Sequence, residues 1–165
     1  MNLKRIVRHL ATTQGQTRRA FPTSALNAIE RAIKAGETAH VGEIRFAVEG
    51  ALDGMPLFKG QSPRERAIEV FAQQRVWDTE HNNGLLIYLL LADRAVEIVA
   101  DRGIASRVGA HEWEVICRQM ETAFKQENYL DGVVSGIQAV TLYLVAHFPA
   151  SGASPNELSD KPVVL

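Results

Sequence analysis

The feature that most constrains this chain is Leu85 to Leu91, seven successive apolar residues reading LLIYLLL. The run has no alternation of period two, so a strand with one wet face is excluded, and it falls far short of the roughly 20 residues that span a bilayer. A strand covered on both faces remains, and such strands sit at the centre of sheets that carry helices on either side. The polar segment Val76 to Gly84 (VWDTEHNNG) precedes it and Asp93-Arg94 follows it. The rest of the chain must therefore supply helices for two faces.

Glu43 to Glu49 alternates, with Ile44, Phe46 and Val48 on one side and Glu43, Arg45 and Glu49 on the other, so it reads as a second strand with an unusually charged face. Ala95 to Ala100 is a third, placed close enough after Leu91 for a tight hairpin at Asp93-Arg94. A helix is expected after Pro22-Thr23, carrying Leu26, Ile29 and Ile33. Another starts at Ser62-Pro63-Arg64-Glu65, a capping box with proline where a missing N–H costs nothing. Gly50 to Gln61 reads as a loop. Trp113, Ile116, Cys117, Met120 and Phe124 form one helical stripe, and Val133, Gly136, Ile137, Val140 and Leu144 form another that Pro149 ends. Trp77 reads as a core or staple residue and Cys117 as a small core hydrophobe. The order gives an α/β fold: a three-layer α/β/α sandwich with a small mixed sheet, one parallel β-α-β crossover plus a hairpin. The body spans residues 21–149, and the Pro-, Ser- and Gly-containing segment 150–165 is expected to be a flexible tail.

Charge divides the chain. Of 18 Lys and Arg, five precede Glu30, the first of the 19 carboxylates, so a net charge of -1 hides a basic start on an acidic body. Residues 1–20 read as a basic amphipathic arm: Leu3, Ile6, Val7 and Leu10 recur at helical spacing with Lys4, Arg5 and Arg8 opposite, and Ala11 to Arg19 serve as a polar connector. The partners this suits are an anionic membrane surface or a protein; sequence-specific nucleic-acid binding is not expected. Cys117 is the only cysteine, which excludes an intramolecular disulfide framework and a cysteine-rich zinc site. No signal-peptide pattern or membrane span is expected, since Val133 to Phe148 reads as a buried helix, and the location expected is cytoplasmic, peripheral at the inner membrane.

The sheet should have two functional edges. One gathers Glu43, the segment Asp78 to Asn83, and Asp101-Arg102; the other gathers Glu49, Asp53 and the Asp93-Arg94 turn. The rule for open α/β sheets favours the second, at the carboxyl ends of the parallel strands. The density of ligand-type side chains favours the first, which is the edge chosen here. Glu43, Arg45, His81, Asn82, Asn83 and Arg102 are its candidate ligand-binding residues. Asp78, Glu80 and Asp101 are candidate ligands for a hard cation, Ca²⁺ or Mg²⁺, with Mn²⁺ also suited. The competing reading is that Asp78 and Asn82 cap turns while Glu80 and His81 are solvated. Neither an EF-hand nor a HExxH pattern is present, no P-loop or GxGxxG occurs, and His81 has no nucleophile at a triad spacing. No catalytic residue can be named and no cofactor is demanded.

Several stretches together resemble the TPM domain family: Asn82-Asn83-Gly84 with the apolar strand after it, Ala92-Asp93-Arg94, Val96-Glu97-Ile98-Val99 with Gly103-Ile104, and Phe124, Tyr129, Asp131 and Gly132 before the last helix. WDTEHNNG, DRAVEIVADRGI and the closing HFP are similar to a proteobacterial branch of uncharacterised members. The resemblance covers about residues 22–149 and implies the α/β/α sandwich. It also implies divalent-metal binding or weak phosphatase activity, known for some members, with acidic residues near the segment matching Asn82 to Gly84. The chain departs from the family's Gly-Tyr-Gly-Leu-Glu at Asp101 to Ala105, and from its aspartate before the first body helix at Phe21-Pro22. Two functions are thus expected: a binding or accessory domain at the cytoplasmic membrane face, or a divalent-metal-dependent phosphatase-like hydrolase using Asp78 to Asn83 and Asp101.

Overall fold

A computed structural model describes residues 2–165. The apolar run forms β2 (Gly84–Leu90), buried at every position. β1 (Glu43–Glu49) pairs with it in parallel, Glu43 opposite Gly84, and β3 (Ala95–Ala100) pairs with it antiparallel, Leu90 opposite Ala95. The crossover and hairpin are therefore as expected, but the hairpin is not a two-residue turn. A 3-10 turn over Leu91–Asp93 leads into Arg94, whose φ of 50° lies in the left-handed region.

The helices in chain order are α1 (Leu3–Ala11), α2 (Gln14–Ala20), α3 (Thr23–Glu37), α4 (Gly54–Phe58), α5 (Pro63–Gln73), α6 (Arg102–Ala105), α7 (Ala110–Lys125) and α8 (Tyr129–His147). The alternation of β1 decides the layers. Ile44, Phe46 and Val48 join Leu85, Ile87 and Leu89 in a core covered by α3, α7 and α8 through Ile29, Ile33, Phe124, Ile137 and Val140. Ala47 joins Leu86, Tyr88 and Leu90 on the opposite face, beneath Ile6 of α1, Leu57 of α4 and Ala67 and Val70 of α5. Each such aliphatic side chain withdrawn from water contributes about 1.5 to 3 kcal/mol, which makes β2 the anchor of both layers.

Three expectations are corrected. The connector Ala11 to Arg19 contains α2, because Thr13 and Gln16 make a capping box that starts a helix. The segment 150–165 is not a loose tail: Val163–Val164 forms β4, parallel to β1, giving the sheet order β3-β2-β1-β4. The open edge of β1 offers unpaired backbone groups, and the β-branched valines meet them; Leu165 N–H adds a bond to Val48 O at 2.9 Å. Trp77 is not core but 49% exposed, with the Arg75 guanidinium over its ring.

Cys117 packs against the core as expected, and burial pushes its thiol up to about 12. α8 is long and apolar enough to cross a membrane by composition, yet Gly132, Val133, Gly136, Ile137, Val140 and Leu144 are buried against the rest of the fold. Gly84 and Gly103 explain two glycines of the motifs quoted above. A Cβ on Gly84 would lie 1.9 Å from Val76 O, and one on Gly103 would lie 2.6 Å from Asn82 O, so both positions exclude any side chain.

Candidate functional site

The amino ends of β1 and β2 with the end of β3 gather most of the residues singled out in the sequence, but partners inside the chain already engage them. Glu43 Oε2 accepts the Leu158 N–H at 3.1 Å, and Arg45 donates to the carbonyls of Ser159 and Lys161. These two residues hold the C-terminal segment. Asn83 is buried, donating Nδ2–H to Val41 O and its backbone N–H to Thr79 Oγ1. Arg102 donates to Asn82 Oδ1 at 3.2 Å, and His81 is exposed.

The candidate cation ligands do not converge. Asp78 pairs with Arg75 at 2.6 Å on the surface, Glu80 is exposed with its backbone N–H on Glu157 Oε2, and Asp101 Oδ1 caps α6 through the Arg102 N–H at 2.7 Å. Among the described residues no three His, Cys, Asp or Glu are grouped to hold a metal. Asn83 Oδ1 and Asp101 Oδ2 are buried oxygens without a partner, but one amide and one carboxylate are not the oxygen set that Ca²⁺ or Mg²⁺ requires. This donor set does not fit a resident divalent ion, and no metal-assisted hydrolysis can be built on it. The edge is nonetheless acidic: burial raises the Glu43 carboxyl and pushes Glu37 up to about 8, even though Glu37 Oε1 accepts the Ile44 N–H at 2.8 Å.

The opposite edge is built around Asp93 in the β2–β3 turn. Arg5 reaches its Oδ2 at 2.8 Å, Arg8 contacts Oδ1, and His9 Nε2 lies 3.0 Å from Oδ1. His9 Nδ1 accepts the Leu52 N–H at 2.9 Å, which leaves the ring proton on the nitrogen facing Asp93. Burial works to raise the Asp93 carboxyl, but the contacts from Arg5, His9 and Arg8 outweigh it and hold it below the usual aspartate value. The basic arm is therefore not free. Arg5 and Arg8 reach Asp93 and Ile6 and His9 are buried, while Leu3, Val7 and Leu10 are 68%, 58% and 66% exposed. A carboxylate taken largely out of water demands charged partners more strongly than three aliphatic side chains demand burial.

Beside this clasp, at the carboxyl ends of the parallel strands, opens a cleft of about 1250 Å³. Arg8, Arg19, Arg31 and Arg94 line it together with Glu127 and Asp131. Pro22 lies on its wall, at the place where the family resemblance expects an aspartate. Glu49 takes no part, since Arg66 holds both its oxygens at 2.8 and 3.0 Å and Tyr88 donates to it. The ligand-type side chains are denser at the opposite edge, away from this cavity. The signal that would have found this one is the strand-end rule for open α/β sheets, because its arginines lie on four separate elements and form no charge run.

The TPM domain family matches residues 17–143. The NMR structure of the BA42 protein from the psychrophilic bacterium Bizionia argentinensis is similar at 29% identity, with a TM-score of 0.73 over 86% of this chain and 92% of that one. The N-terminal domain of a protein from P. gingivalis is similar at 23% identity and a TM-score of 0.56, over 74% of this chain and 76% of that one. The N-terminal domain of the cg2496 protein from Corynebacterium glutamicum gives 17% and 0.54, over 79% and 76%; these last two speak for the fold alone. No curated protein matches the chain. The family match leaves out α1, which clasps Asp93, and the C-terminal segment held by Glu43 and Arg45. With its mixed sheet between two helical layers, its buried β2 and its glycine-dependent turns, the chain belongs to the TPM domain family.

Proposed function

We propose that this TPM-domain chain is a binding or accessory domain that works at an anionic membrane surface, on its cytoplasmic face. The observation that carries the reading is the outward stripe of Leu3, Val7 and Leu10 on α1. α4 packs beside α1 and adds Met55 and Phe58, 61% and 52% exposed, while Lys4 on α1 and Lys59 immediately after α4 are exposed cations. Large apolar side chains held in water on a docked helix, bordered by lysines, are the chemistry of a helix that lies in a membrane interface. Lysines near an anionic bilayer add roughly 1 kcal/mol each. A protein partner with an apolar, acidic surface is the other occupant of this face, and the vesicle experiment separates the two.

Flotation with vesicles of phosphatidylcholine and phosphatidylglycerol, against phosphatidylcholine alone, tests the proposal. The protein should float with the anionic vesicles, and L3E/V7E should remain at the bottom of the gradient. Both side chains project into solvent, so the variant keeps its fold. Equal recovery of the two proteins, or no flotation of either, removes the membrane.

A further inference from the structure

The cleft at the carboxyl ends of β1 and β2 encloses about 1250 Å³, and the membrane reading makes no use of it. Its chemistry is set by which charges are already satisfied. Asp93 would be the natural anchor for a cation, but Arg5 and Arg8 pair with it from within the chain and His9 lies against it. Three arginines of the wall are in the opposite state. Arg19, Arg31 and Arg94 are exposed, and among the described residues none of them forms an ion pair. They come from α2, α3 and the β2–β3 turn, so the tertiary fold alone brings them to one cavity.

We infer that this cleft binds an oxyanion, the phosphate group of a small molecule or of a lipid headgroup, on Arg19, Arg31 and Arg94. Guanidinium forks match the paired oxygens of a phosphate, and three of them lining one cleft overcome the cost of stripping its water better than any one alone. Arg94 is held at its backbone by the turn, where its N–H bonds to Leu91 O at 3.0 Å and its φ is 50°. Glu127 and Asp131 give the same cleft a short acidic side, which accepts hydroxyl or amine donors from the body of the ligand. A volume of about 1250 Å³ leaves room for such a body, being at the upper end of the few hundred to about 1,000 Å³ usual for small-molecule sites. α1 serves as the built-in counter-ion of Asp93, so the site's one buried carboxylate does not oppose the anion.

The inference is independent of the membrane face, and its test keeps the two apart. Backbone amides are followed by ¹⁵N NMR while inorganic pyrophosphate, dihexanoyl phosphatidic acid or CaCl₂ is added at low salt. Saturable shifts at Arg19, Arg31, Ala92 and Arg94 are expected with pyrophosphate if the anion is a free phosphate, and with the short-chain lipid alone if it is a headgroup. R31Q/R94N should weaken binding about tenfold or more, since it removes two charge-assisted contacts; asparagine at 94 tolerates the left-handed backbone. L3E/V7E should bind as the parent does. The proposal is overturned if neither phosphate compound gives saturable shifts at millimolar concentration, if R31Q/R94N binds undiminished, or if Ca²⁺ alone shifts the same amides.

Discussion

The two ends of one small sheet are finished in opposite ways. At the amino end, Glu43 and Arg45 hold residues of the chain's own C-terminal segment, and Asn83 and Asp101 tie loops to strand ends, each keeping one buried oxygen without a partner. At the carboxyl end, α1 satisfies a single carboxylate, Asp93, and the arginines beside it are left facing a cavity. Polar side chains are dense at both. What separates a candidate site from a structural joint is whether those groups have already found partners in the fold.

The contrast is sharpest at Asp93, where we expect the largest effect. Asp93→Asn leaves Arg5, Arg8 and His9 without the charge that draws them in, and removing one partner from such a set costs about 3 kcal/mol. Urea denaturation should reveal that loss, and hydrogen exchange should place it at α1. A variant that retains parental stability and protection in α1 would mean the clasp is not what docks the helix.

The two ends should also respond to pH in opposite directions. Asp93 has a folded-state pKa below its ordinary value, so the stability it contributes is present above about 3.8 and is lost as pH falls towards the lower folded value. Glu37, beside the C-terminal segment, has a folded-state pKa raised from 4.5 to about 8. Between those values the unfolded chain gives up a proton that the folded chain keeps, so stability falls as pH rises through that window and is level beyond it. Glu37→Gln should flatten the decline in thermal midpoint between pH 5 and pH 8 in a pH series. An unchanged slope would assign the decline to other groups.

The smallest effect tests the amino end itself. Asp78 stands 51% exposed in an i,i+3 pair with Arg75, an arrangement worth little in water. Asp78→Asn should change stability by less than about 0.5 kcal/mol in the same urea assay. A larger loss would show that the 78–83 segment carries a structural load that its surface position conceals.

What was legible in the chain and what was not follows from the range of the interactions. The covered strand, the alternation of β1, the capping box at Ser62 and Glu65 and the parallel crossover could all be read because each is written in neighbouring residues. β4 could not, since Val163–Val164 is too short to show a period and gains its strand character only from the edge of β1. The roll of α1 was equally hidden. Its wheel bears an apolar and a basic stripe of similar width, and the residue that decides between them, Asp93, lies far along the sequence in a different turn. For the same reason Glu43 and Arg45 looked like free ligands until Leu158, Ser159 and Lys161 came to lie against them.

By itself, then, the sequence determined a double-covered β2, the layers on either side of it and a TPM-type order of elements, because hydrophobic periodicity and turn chemistry act over a few residues. Only the tertiary structure decided which polar groups are left over. Pairing among buried or converging charges depends on distances that chain order does not encode, and it closed one end of the sheet while leaving three arginines unpaired at the other.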